Sequence, residues 1–292
     1  MRYLDLTVSA VLLAGLYAAM AYGLGLIYGV LRVVNLAHGG VIMASAYTTW
    51  LLYENVGIDP YLSIPIVLVV FFLAGVALYR GPVRFLPRGA AGGVQSLLLL
   101  FGVWLILRNV FYILFTGNDQ AIRTGYSTES IDLGFGAYSI NRIIVFVIAV
   151  VALGLLQVLL ARTYLGKAIR AVAQNPDSCT VVGVDVERVY AFTFGLGTAL
   201  AGLAGLLAST LFAFNPAFGA AELLKSFVII VLGGLGSMLG IAVGALVLAL
   251  AETFSTVIPG FPTYLSASVG FVLLVLVLIF RPGGLFGQKV LR

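Results

Sequence analysis

The side chains able to do chemistry are few and far apart. One histidine, one cysteine, 11 acidic and 16 basic residues are spread over 292 positions. The lone Cys179 excludes an internal disulfide or a cysteine metal cluster, and the lone His38 excludes a paired-histidine site. Lys167 follows Gly166, the pair with which a phosphate-binding loop ends. That loop also needs Gly at 161 and a hydroxyl at 168, where this chain has Ala161 and Ala168, and no strand pattern precedes them. There is no His-Glu-x-x-His, no Gly-x-Ser-x-Gly elbow, and no dinucleotide fingerprint in a soluble βαβ unit. The residues point to binding and positioning, not to catalysis, and imply no cofactor.

Two clusters interrupt apolar sequence at places where backbone groups need partners. Asn35, His38, Gly39 and Gly40 precede a small-residue helix from Val41 to Trp50, and Gly233, Gly234, Gly236 and Ser237 precede another from Met238 to Leu250. Interrupted helices at matching places in two halves mark the central pathway of many transporters. The same pattern suits Asn35 and His38 as helix caps, so both readings stand, together with a possible internal repeat. Glu222 and Lys225, three residues apart, suit a local ion pair near the outer surface, and Glu252 is expected close to an interface.

The densest charged stretch lies in the loop at about 162–188. Leu165, Ile169, Val172 and Ala173 fall on one face of a short helix, with Lys167, Arg170 and Gln174 on the other. Asn175-Pro176-Asp177 then starts a second helix, with Asn175 as N-cap, Pro176 in the first helical position and Asp177 at the positive dipole end. Gly183 suits the left-handed residue that ends it. Two short helices at a capped corner make a knob on the membrane surface that a soluble partner can grip.

These pieces sit in a chain that is 62% hydrophobic and only 9% charged, with mean hydropathy +1.14. Soluble domains carry about a quarter charged residues, so this is an all-α integral membrane protein. The charge of +5 is scattered among loops without interleaved aromatics, which speaks for topology signals and against nucleic acid. Hydropathy predicts eight transmembrane helices at 6–31, 36–53, 62–79, 94–115, 141–161, 189–213, 237–257 and 264–280. The apolar piece Leu223 to Leu232 is too short to cross alone and is read as a re-entrant half-helix. The whole chain, 1–292, is taken as one transmembrane domain. The first span is read as retained, because Arg2 is offset by Asp5 and the apolar run continues to Leu31. Arg80, Arg84, Arg88, the 162–188 loop and the tail from Arg281 belong on the cytoplasmic side; Glu54, Asp59, Asp119, Glu129 and Asp132 fall opposite, with the N-terminus outside.

In four segments, in order, the chain resembles the permease subunits of branched-chain amino acid ABC importers of the LivH type: Gly23 to Gly40, Gly166 to Asp177 with Gly183-Val-Asp185-Val, Val231 to Ser237, and Phe280 to Gly287. The resemblance covers almost the whole length. It implies a multi-pass protein of the bacterial inner membrane that works with a second permease, a divergent paralogue of the LivM type. Two cytoplasmic ABC ATPases and a periplasmic solute-binding protein would complete the system. It also implies that Gly166, Lys167, Arg170, Asn175, Pro176, Asp177, Gly183 and Asp185 belong to an ATPase-coupling loop. Alternating access would then rock the helices around the breaks at Asn35, His38, Gly39 and Gly40 and at Gly233, Gly234, Gly236 and Ser237. Permeases with these motifs also serve urea, short amides and other small polar solutes. A stand-alone secondary transporter or channel is the alternative of a different class.

Overall fold

The computed structural model describes residues 2–86, 90–132, 134, 136–260, 262–281 and 283–286. Two helices form its centre: α1 (Arg2–Leu31) and α8 (Val186–Leu211). Both are apolar on every side, and a helix without a polar face is one that other helices enclose. Their small residues set the spacing. In a bilayer the tails are as apolar as leucine, so helices associate through close packing and buried hydrogen bonds, which small side chains permit. A Cβ on Gly197 would lie 2.6 Å from Ile27 Cγ1, so α8 and α1 touch almost backbone to backbone there.

Around this pair stand α2 (Ala37–Val56), α3 (Ile64–Arg80), α4 (Ala90–Phe115), α5 (Ile140–Arg162), α9 (Phe218–Gly233), α10 (Met238–Ser255) and α11 (Val269–Phe280). Helix α3 runs against α8, with Phe71 at Gly202 and Thr198 at Gly75. Among the described residues, α1, α3, α4, α5, α8 and α10 are the six helices long and apolar enough to cross a membrane. Helix α9 has 16 residues, more than the predicted Leu223 to Leu232, yet at 1.5 Å per residue it is roughly 24 Å long and does not span alone. Helix α11 is extended at its start by a 3-10 turn, Thr263–Ser268, and the two together cover the predicted last span.

Helix α2 is the exception to simple up-and-down packing. After α1 ends, the chain from Arg32 to Leu36 is not helical, and Arg32 takes a left-handed φ of 58°. Helix α2 then starts beside the middle of α1, where His38 Nε2 is 2.8 Å from the carbonyl oxygen of Met20. Eleven residues separate Met20 from Leu31, roughly 16 Å of helix. The non-helical stretch therefore carries the chain back to mid-depth before α2 rises.

The two ends differ in charge. The acidic end holds the N-terminal turn of α1, where Gly136 packs on Asp5, and a hairpin that the all-helical reading did not include. Its strands, β1 (Ser130–Asp132) and β2 (Ala137–Ser139), pair antiparallel with Ile131 opposite Tyr138. Side chains tie the loops together: Tyr126 donates to Asp59 at 2.8 Å, Asn215 to Asp119 at 2.7 Å, and Tyr61 to Asn141, which itself donates to the Thr210 carbonyl at 2.5 Å. The basic end gathers the ends of α1 and α3, the loop after α5, and the C-terminal tail. The backbone amides of Leu285 and Phe286 donate to the carbonyls of Leu232 and Gly233 at 2.8 and 3.0 Å. The tail thus satisfies the last carbonyls of α9, which the helix itself leaves open.

Candidate functional site

The knob is built from two helices, α6 (Tyr164–Gln174) and α7 (Pro176–Val181), held by side-chain caps. Thr163 Oγ1 accepts from the amide of Gly166 at 3.0 Å, and Asn175 Oδ1 from that of Ser178 at 2.9 Å. Pro176 occupies the first turn of α7, Asp177 lies in the same turn, and Gly183 has the left-handed φ of 83°. Asp185 caps α8 by accepting from the Arg188 amide at 3.1 Å, and its carboxylate pairs with the Arg188 guanidinium at 2.7 Å. Lys167 is exposed.

Helix α6 buries Gly166, Ala168, Ile169 and Val172 against the bundle. One side chain departs from the amphipathic pattern read in the sequence. Leu165, predicted on the packed face, is 45% exposed. Arg170 is exposed on the water face, as predicted, and from there turns its guanidinium onto the Leu160 carbonyl at the end of α5. The negative end of the α5 dipole and its open carbonyls attract the cation, while Leu165 lies one turn too early to reach the core. Gly166 fits because a Cβ there would run into the carbonyls of Leu159 and Leu160. The knob is therefore seated on the end of α5.

Several cavities adjoin it. One of about 600 Å³ lies between the ends of α1 and α3, the knob and the start of α8, with Tyr28, Arg32, Arg84, Gln174, Glu187 and Tyr190 on its walls. A second, about 250 Å³, is lined by Gly29, Gln157, Arg170, Gly236 and Met238. It joins a knob residue, Arg170, to the turn between α9 and α10.

The two breaks do not converge. Asn35 and His38 are 1% and 0% exposed. Gly39 packs on the backbone of Gly219, and Gly40 on Trp104 and Leu107. At the second break, Gly233 packs on Gly240, Gly234 and Gly236 have φ of 99° and 88°, and Ser237 caps α10 by accepting from the Gly240 amide at 3.0 Å. Gly236 faces Gly29 near the basic end, whereas His38 is level with Met20.

Sequence reasoning misplaced the charged groups of the last helices. Glu222, Lys225 and Glu252 are at neither surface: they meet Tyr17, at the midpoint of α1. Glu222 with Lys225 was legible from their spacing, but Tyr17 and Glu252 are 235 residues apart, and no local pattern links them.

Helices packed backbone to backbone, six of them long and apolar enough to cross a membrane among the described residues, define a polytopic membrane protein. The model of the family described as "branched-chain amino acid transport system / permease component" matches residues 6–278, and the chain belongs to that family. It is similar to the high-affinity branched-chain amino acid transport system permease protein BraD of Pseudomonas aeruginosa, 29% identical over 98% of this chain and 96% of the relative. The corresponding permease LivH of Escherichia coli is 27% identical over 98% and 96%. LivM of the same organism is 27% identical over 96% of this chain and 69% of its own length. No solved structure matches the chain.

Proposed function

We propose that this chain is the membrane-spanning permease of an ATP-driven bacterial importer for branched-chain or other hydrophobic amino acids, acting as one transmembrane unit. The transport role of its relatives supports the solute class. Their two kinds, LivH and LivM, support a divergent second permease as the partner across the pathway. The basic end is the cytoplasmic one, because cytoplasmic loops carry the excess of Lys and Arg, and the membrane is the bacterial inner membrane. A periplasmic solute-binding protein docks on the acidic end.

The observation that carries the coupling part of this reading is the knob's surface. Tyr164, Val181 and Val182 are 79%, 88% and 77% exposed, on an element held rigid by three caps at the water-facing end. Lipid tails do not cover them there, so a soluble protein is the natural cover. Two cytoplasmic ATPases grip this knob, with Gly166, Lys167, Arg170, Asn175, Pro176, Asp177, Gly183 and Asp185 forming and orienting it. Its motion passes to the end of α5 through Gly166 and Arg170, and to the α9–α10 turn across the cavity they share. Rocking of the helices about Asn35, His38, Gly39 and Gly40 and about Gly233, Gly234, Gly236 and Ser237 opens the pathway alternately to each side.

The test is reconstitution with two ABC ATPases, a second permease and a solute-binding protein of the same organism, followed by uptake of labelled leucine. Asp177→Arg is expected to abolish uptake while the chain inserts normally and the ATPases still hydrolyse ATP. Concentrative uptake by the purified chain alone on an ion gradient would overturn the reading.

A further inference from the structure

Three helices bring four polar side chains to the midpoint of α1. The Tyr17 hydroxyl donates to Glu252 Oε2 at 2.5 Å. Lys225 Nζ lies 3.3 Å from Glu222 Oε1 and 5.1 Å from the centre of the Tyr17 ring. Tyr17 comes from α1, Glu222 and Lys225 from α9, and Glu252 from α10; the described neighbour from α11 is Gly270, where an added Cβ would stand 3.9 Å from Glu252 Oε1. Ser226 and Ser255 turn their hydroxyls to the backbone carbonyls of Glu222 and Glu252, so they do not serve the carboxylates. Glu222 and Glu252 are 4% and 7% exposed, and one oxygen of each, Glu222 Oε2 and Glu252 Oε1, is buried without a hydrogen-bond partner among the described residues.

The charges do not balance. Two carboxylates face one ammonium, and an uncompensated charge at mid-depth is strongly disfavoured, so such groups pair or neutralise. The deficit is one positive charge. Both unpartnered oxygens lie beyond the reach of a water-sized probe, which leaves room for a proton and none for a hydrated ion.

We propose that this cluster is a proton-binding site, distinct from the knob and from both breaks. Glu222 stays the anion beside Lys225, and Glu252 takes the proton, its carboxylate and one H⁺ giving a neutral acid that still accepts from Tyr17. The docking of the α9–α10 hairpin on α1 is then linked to protonation, whatever solute is carried.

Infrared spectroscopy of the full-length chain in lipid nanodiscs tests this directly. Near neutral pH the wild type is expected to show the carbonyl stretch of one protonated carboxylic acid, shifted by deuteration and lost as the pH is raised. Glu252→Gln and Glu222→Gln each leave one acid with one base, so each should abolish the band. Lys225→Gln leaves two acids with no base and should about double its area. Absence of the band in the wild type overturns the proposal without need of any variant. So does a band that survives both glutamine substitutions, or one that Lys225→Gln leaves unchanged at matched helical content.

Discussion

His38 Nε2 lies 2.8 Å from the carbonyl oxygen of Met20, joining the first turn of α2 to the middle of α1. That contact fixes the depth at which α2 begins. It stands because the next residue, Gly39, lets α2 meet the backbone of Gly219 at the start of α9. A buried imidazole and a bare backbone together hold the first break inside the bundle.

Gly39→Ala is therefore expected to destabilise the chain by about 1–3 kcal/mol, the usual cost of overpacking a tight contact. The neighbour it meets is backbone, which has no rotamer to yield. Gly102→Ala is the control, since a Cβ there meets nothing within 4 Å. Thermal unfolding in the same detergent should separate the two, with the Gly102 variant indistinguishable from wild type.

Replacing Asn175 by Ala removes the side chain that accepts from the Ser178 amide. A lost N-cap costs about 1 kcal/mol, and Asn175→Asp should restore most of it. Helix α7 has only 6 residues, so the loss should appear as faster hydrogen exchange over Pro176–Val181. The long helices should keep wild-type exchange.

The tail predicts a different kind of failure. Leu285→Pro deletes the amide that donates to the Leu232 carbonyl and leaves the end of α9 with an open acceptor. A net loss of about 1 kcal/mol is expected, together with faster proteolysis of the α9–α10 turn. Unchanged protection of that turn would mean that the tail does not brace it.

At the acidic end Asn141 is 3% exposed and serves two partners, accepting from the Tyr61 hydroxyl and donating to the Thr210 carbonyl. Asn141→Leu strands both and should cost about 1–3 kcal/mol. Because Tyr61→Phe removes one of the stranded groups, the double variant should be more stable than the sum of the singles implies.

Beside it, burial first and then the hydrogen bond to Asp59 hold the Tyr126 phenol above its ordinary range. A raised phenol favours the protonated fold, so this tie is fully present below the ordinary tyrosine value of about 10 and is lost as the pH rises through the higher folded value. Tyr126→Phe should accordingly change the pH dependence of unfolding only in the alkaline limb.

Much of this architecture was legible in chain order. Apolar runs near 20 residues placed α1, α3, α4, α5, α8 and α10, since a bilayer imposes one length on whatever crosses it. Asn175, Pro176 and Gly183 announced the corner of the knob because capping is a matter of three or four neighbouring residues. The breaks at Asn35 and Gly233 were visible for the same reason.

Their depth was not. Hydropathy reports how long a segment stays apolar, and it is blind to the non-helical return from Arg32 to Leu36 that lifts α2 to mid-membrane. Arg170 was assigned to water on helical periodicity, and it is exposed; that its guanidinium also reaches the Leu160 carbonyl at the end of α5 was not legible. Glu252 was expected close to an interface, and the Tyr17 hydroxyl, 235 residues away in the chain, bonds it inside the bundle. In water a polar face tells a helix which side to bury. In lipid nearly every face is apolar, so which helices meet, and at what height, was decided by small residues closing on distant backbones and by polar groups finding one another across the bundle.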